Sequence, residues 1–169
     1  VIHVPNVPRL REVRSFTKLL EAVIDEGEYT FCCHGKGSTH ALMSPCQDWC
    51  DVMFHVLCDH WNLVEHALQS YGIVGTFRRY DGLKVPWHYS GTFYWVRNDA
   101  VRARNWRDVP TNAWGTEAWP ARQFKKEEAC CLFMENCTDL YKQEYWDHGV
   151  RQAFEYWLEA ALSSGWSPT

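Results

Sequence analysis

Four groups of residues in this chain are of types that do chemistry. The first is His34-Gly35-Lys36-Gly37, directly after the apolar run Tyr29-Thr30-Phe31-Cys32-Cys33. Glycines let backbone amides approach an anion, and a lysine neutralises phosphate charge, so the loop is a candidate phosphate cradle. It is not the P-loop pattern, which needs a longer loop and a Lys-Ser/Thr pair at the helix start; the plainer reading is a solvent-exposed turn. The second group is Trp114-Gly115-Thr116-Glu117-Ala118-Trp119-Pro120, one carboxylate among tryptophans. Desolvation raises a carboxyl pKa and suits the group to general-base work, whereas a surface Glu117 would simply pair with Arg122 or Arg102.

The third group is Trp87 to Arg97, a polar glycine-containing turn running into an aromatic strand. Aromatic faces pack on the apolar face of a sugar ring, and His88, Ser90 and Thr92 supply hydroxyl and imidazole partners. The alternative is a core strand behind a tight turn. The fourth is a concentration of Cys and His between residues 32 and 66. Its spacings include no C-x-x-C and no H-x-x-x-H pair, so it does not fit a structural zinc pattern.

These groups need elements to position them. Leu10, Val13, Phe16, Leu20 and Ile24 fall at helical spacing and predict a helix over 8–25, closed by Gly27. Residues 29–33 predict a buried strand. Ser44-Pro45 is an N-cap followed by proline at the first helical position, and the apolar stripe from Cys50 to Leu68 carries that helix to about Tyr71. Further strands are expected at 73–77, 92–96 and 129–134, with a short helix at 98–103, a long ordered loop over 104–120 and a closing helix around Val150 to Ala161. Strand and helix alternate through the first half, which favours an α/β layered domain.

Composition bounds the rest. The 169 residues are the size of one domain, and 46% hydrophobic with 22% charged residues is ordinary for a globular chain. The net charge of −4 gives no electrostatic reason to expect nucleic-acid binding. No run of about 18 apolar residues is present, so no membrane span is expected. The aromatic content of 15%, with ten Trp, is unusually high; part of it is expected in the core and part as a platform for stacking on flat or ring-shaped ligands. The eight cysteines include two adjacent pairs inside apolar runs, where Cys acts as a small hydrophobe; free thiols in a reducing cytoplasm are expected.

The order of these pieces resembles family-2-like glycosyltransferases of the GT-A fold. Asn6 with Arg9 and Arg11 stands where that family has a turn and a basic helix. Gly27-Glu28-Tyr29-Thr30-Phe31 introduces the strand that leads into the donor loop. Ser90-Gly91-Thr92-Phe93-Tyr94-Trp95-Val96-Arg97 matches a small-residue turn into a strand ending in Arg, and Glu117 matches the first position of an acidic pair. The chain is still more similar to rhamnan-synthesis protein F-like glycosyltransferases, on His34 to Gly37, Trp87 to Arg97 and Trp114 to Trp119.

The resemblance covers most of residues 4–141. It implies a GT-A-like (Rossmann-like) mixed sheet flanked by helices in one domain over 1–169, beginning near the third βα unit and lacking the first βα units. It implies a nucleotide-sugar donor at His34, Gly35, Lys36, Gly37, Arg9 and Arg11. The glycan or polysaccharide acceptor would lie at His88, Ser90, Gly91, Thr92, Trp95 and Trp119, with Glu117 as base. Two departures stand out. There is no D-x-D motif to hold a divalent metal, and H-G-K occupies its place, so Lys36 is expected to supply the positive charge. Ala118 replaces the second acidic residue. Both departures also fit a non-catalytic carbohydrate-binding or interaction domain of the same descent.

Overall fold

A computed structural model of the chain describes residues 3–4, 7–25, 27–35, 44–135 and 139–163. Asn6, Lys36 and Gly37 lie outside the described residues. A one-turn 3-10 helix at Pro8–Leu10 precedes α1 (Val13–Val23), which buries Val13, Phe16 and Leu20 on one face. Strand β1 is Tyr29–Cys32. The expected long helix is present as α2 (Pro45–Phe54), a π-turn at His55–Asp59, and α3 (Trp61–Leu68). Then follow β2 (Ile73–Thr76), β3 (Arg78–Arg79), β4 (His88–Tyr89), β5 (Tyr94–Arg97) and α4 (Asn98–Arg102). The chain continues as α5 (Gly115–Gln123), β6 (Ala129–Phe133), α6 (Gln143–Tyr145), a second π-turn at Trp146–Val150 and α7 (Arg151–Leu162).

Four strands form one mixed sheet in the order β1-β5-β2-β6. Strand β5 is antiparallel to both neighbours, and β2 is parallel to β6. So β1, β2 and β6 point the same way, and β5 alone runs against them. The carboxyl ends of three strands therefore share an edge of the sheet with the turn that enters β5. A two-stranded ribbon, β3 with β4, pairs Arg78 with Tyr89 and Arg79 with His88.

Side-chain alternation divides the core between the two faces of the sheet. Phe93, Val74, Cys130 and Leu132 face α2, α3 and α7; Tyr94, Val96, Ile73, Ala129 and Cys131 face α1, α4 and α5. The result is a three-layer α/β domain with a four-stranded mixed sheet, of the class the alternating pattern predicts. Gly75 in β2 is required by packing: a Cβ there would stand 2.8 Å from the Tyr89 ring. The Tyr89 hydroxyl is buried and donates to the Cys130 carbonyl at 2.5 Å, fastening the ribbon to β6.

One expectation is corrected. Residues 115–120 are not loop; they open α5, which runs through Pro120. Proline has no N–H to give to the carbonyl four residues back. That carbonyl, of Thr116, accepts the Tyr94 hydroxyl instead, at a long 3.4 Å. Gly115 starts the helix because the carbonyl of Pro110 lies 2.0 Å from where a Cβ would stand.

Candidate active site

The turn between β4 and β5 carries unusual backbone. Gly91 has φ +103°, and its neighbour Thr92 has φ +57°. Phe77, after β2, has φ +50°, and its carbonyl accepts the N–H of Ser90 at 3.1 Å. A left-handed conformation is costly for a β-branched residue, about 1–3 kcal/mol, and persists only where surroundings over-determine it. Here the Phe77 ring is locked edge-on against Trp49, Phe133 and Trp146. Backbone strain of this kind concentrates at sites that do something.

Two side chains converge on that turn. The N–H of Gly91 donates to Glu117 Oε1 at 2.7 Å. The carbonyl of Gly91 accepts His34 Nε2–H at 2.8 Å. His34 sits two residues past the carboxyl end of β1, the place where open α/β sheets bind ligands. Glu117 sits in the first turn of α5, where the helix dipole favours a carboxylate. Its Oε2 has no hydrogen-bond partner among the described residues and is available to a ligand. Donation through Nε2 leaves His34 Nδ1 as the acceptor in the neutral ring.

Around this pair lie further groups. Glu12 Oε1 accepts the Thr116 hydroxyl at 2.8 Å, tying the start of α1 to the start of α5. The Arg11 guanidinium stands 4.3 Å from the centre of the Trp114 ring, three residues before Glu117. Tyr141 meets Trp49 edge-on at 5.5 Å. Burial pushes its phenol pKa up; the Cys46 thiol and the Glu117 carboxylate add to the rise and the Arg11 guanidinium opposes it. A cavity of about 200 Å³ opens beside edge strand β1, lined by Glu12, Phe16, Phe31, His34, Thr92 and Thr116.

His88 is 6% exposed, and its Nδ1 is buried without a hydrogen-bond partner in the described structure. Burial pulls its pKa below the ordinary value; Glu117, raising it, and Arg79, lowering it, act as weaker neighbours. Burial thus favours the uncharged imidazole at His88, against the opposing pull of the Glu117 carboxylate.

The residues expected at the site are distributed as follows. His34, Gly91 and Glu117 come together, with Thr92 on the cavity wall and His88 and Arg11 nearby. Ser90 is half-buried in the same turn, Gly35 is exposed just beyond His34, and Arg9 is exposed on the 3-10 turn. Two tryptophans stand elsewhere. Trp119 is fully buried, stacked on Tyr94 and edge-on to Phe16, with its Nε1 donating to the Trp106 carbonyl at 2.8 Å. It has no face to offer an acceptor. Trp95 points to the opposite face of the sheet, stacks on Phe31 and donates to the Leu57 carbonyl at 2.8 Å. Exposed Trp114, not Trp119, is the aromatic surface next to Glu117. Glu12 and Tyr141 carry no sequence signal, because single polar residues in no motif become neighbours only through the fold; Thr116 stands in the Trp114 to Pro120 group, but nothing in that group marks it as the partner of Glu12.

The cysteines Cys32, Cys33, Cys46, Cys50, Cys58, Cys130 and Cys131 are free thiols. Burial pushes Cys32 and Cys130 up to about 12 and Cys131 up to about 11, so these three act as packing rather than as nucleophiles. Among the described residues no group of three or more His, Cys, Asp and Glu gathers as a metal cage. None of their helices is long and apolar enough to cross a membrane. The chain matches no family model, no curated protein and no solved structure.

Proposed function

We propose that this chain is a glycosyltransferase-like domain that moves a sugar from a nucleotide-sugar donor to a glycan acceptor, with Glu117 as general base. The observation that carries the reading is the meeting of His34 and Glu117 on the two sides of one peptide residue, Gly91, at 2.8 and 2.7 Å. Three motifs that the sequence holds far apart, and that the resemblance assigns to donor, acceptor and base, become one site. The position of His34 just past the carboxyl end of β1, on the sheet edge where the Gly91 turn enters β5, supports it.

In this reading the acceptor hydroxyl gives its proton to Glu117 Oε2. The acceptor oxygen attacks the anomeric carbon of the donor. The bond from that carbon to the diphosphate breaks, and the nucleoside diphosphate leaves with the electron pair. His34 would face the charge that develops on the leaving group, the role the resemblance also gives to Lys36, which lies outside the described residues. The cavity by β1 falls below the roughly 300–1,000 Å³ of sites for drug-sized ligands, so it suits a single sugar ring, not a whole nucleotide sugar. Trp114, exposed beside Glu117, offers a stacking face for the acceptor.

One observation favours a second reading, a glycan-binding domain without turnover. Glu117 already holds the Gly91 turn through Oε1, a job that needs no chemistry. The two readings separate in a transfer assay with UDP-, GDP- and dTDP-sugars, each with and without EDTA. Hydrolysis or transfer of one donor that survives EDTA, and that Glu117→Gln abolishes, is the expected result. Glycan binding with no turnover of any donor would leave the second reading standing, and full activity in Glu117→Gln would remove Glu117 as base.

A further inference from the structure

We propose that His55 and His60 form a two-histidine site for a divalent transition-metal ion of the zinc, copper and nickel class, with its other coordination positions open to water or an outside ligand. The inference does not rest on the transferase reading. The site lies over α2, α3 and α7, whereas Glu117 is on α5 over the opposite face of the sheet.

The local backbone creates the pair. His55 opens the π-turn His55–Asp59, and His60 follows it. In a regular α-helix side chains meet at spacings of three and four. The wider π-turn brings positions five apart together, and such turns recur at functional sites. His55 Nε2 and His60 Nε2 face each other at 3.3 Å. Zinc–imidazole bonds of about 2.0–2.1 Å at tetrahedral angles place two ligand nitrogens about 3.3 Å apart. The two ring nitrogens already stand at that separation.

Orientation is fixed as well. His55 Nδ1 donates to Asp59 Oδ2 at 2.8 Å. A carboxylate on the far nitrogen is the usual outer partner of a metal-binding histidine, and it leaves the lone pair on Nε2. In the hydrogen-bonded pair that lone pair accepts the Nε2–H of His60. With an ion between the rings, the proton moves to His60 Nδ1 by exchange with solvent, and both Nε2 lone pairs point at the metal. Neighbouring rings hold both imidazoles: His55 is edge-on to Phe154 and His60 edge-on to Trp157, each at 5.5 Å, and those two rings stack on one another. Both histidines are partly exposed, so an ion can enter. Two nitrogen ligands select zinc, copper or nickel over magnesium and calcium, which take oxygen.

The test is calorimetric titration of the untagged chain with Zn²⁺, Cu²⁺ and Ni²⁺, with Mg²⁺ for comparison. The expected result is one ion per chain for the three transition metals and none for Mg²⁺. His55→Ala and His60→Ala should each weaken binding at least tenfold, and Asp59→Asn about tenfold. Circular dichroism melting checks that each variant is folded, and the milder His60→Gln must give the same loss. A Co²⁺ spectrum reports the donor atoms directly. No binding of any of the three ions, affinity unchanged in the His60 variants, or a thiolate charge-transfer band placing the metal on cysteine such as Cys58 would each overturn the proposal.

Discussion

Glu117 Oε1 accepts the backbone N–H of Gly91 at 2.7 Å, joining the first turn of α5 to the strained turn before β5. The two carboxylate oxygens are thus separable: Oε1 holds the turn, and Oε2, which has no hydrogen-bond partner among the described residues, is the one that takes the proton in the transferase reading. Glu117→Gln keeps an oxygen for the N–H and loses the base. Glu117→Ala loses both. In the transferase reading both variants lose about 10²–10⁴ in turnover, the range of a general base. Only the alanine should also lose stability, by about 1–3 kcal/mol, because it strands a part-buried donor. Chemical denaturation of the two variants side by side checks the split; equal stability would show that the bond holds nothing.

Gly115→Ala should be the more damaging of two glycine substitutions. Its new Cβ meets a backbone carbonyl, that of Pro110, which cannot swing away. At Gly91 the nearest atom is the Sδ of Met53 at 3.0 Å, the end of a flexible side chain, so the cost of Gly91→Ala is mainly the φ of +103°. Overpacking of this kind costs about 1–3 kcal/mol, and Gly115→Ala belongs at the top of that range or above it. Gly91→Ala belongs within about 1–3 kcal/mol, the cost of a left-handed non-glycine residue, and below Gly115→Ala. Thermal or urea unfolding ranks them; the reverse order would mean that α5 can slide away from Pro110.

How much of this was legible in the sequence depends on what kind of signal each element carries. Strands β1, β2, β5 and β6 are short apolar or aromatic runs between turn residues, and they lie where the pattern predicts. Helix α5 was hidden because it begins with glycine and contains proline, the two strongest breakers. It exists because Gly115 must pass Pro110 and because Tyr94 takes the carbonyl that Pro120 leaves open. The convergence of His34 and Glu117 on Gly91 depends on the pairing of β1 with β5, which no local pattern encodes. The burial of the tryptophans was hidden for a related reason. Sequence shows that Trp114 and Trp119 flank one carboxylate, but not which faces inward.

That difference gives a prediction. Trp119→Ala should cost about 3–5 kcal/mol, the usual range for removing a buried large aromatic. Trp114 is 45% exposed and packs chiefly under Arg11, so Trp114→Ala should stay within about 1 kcal/mol of wild type. Glycan affinity should respond in the opposite sense, falling in Trp114→Ala. Isothermal titration with oligosaccharides, after denaturant curves on both variants, checks it. Unchanged affinity in Trp114→Ala would move the acceptor off this face.

The last prediction concerns acid. Burial holds His88 below the ordinary imidazole value of 6.5 in the folded chain. An unfolded chain takes up that proton near pH 6.5, whereas the folded chain resists until a lower pH. Below 6.5 the unfolded state therefore binds more protons, and stability falls as the pH drops through the window between the two values. Above 6.5 both states are uncharged at this position and the contribution is level. His60 has the same sign, because burial first and His55 second lower it. Wild type should lose melting temperature between pH 7 and 5, and His88→Gln should lose less, the difference being the share of His88. NMR of the ring protons gives the direct reading. A His88 resonance that titrates above 6.5 would mean that the Glu117 carboxylate, not burial, governs this imidazole.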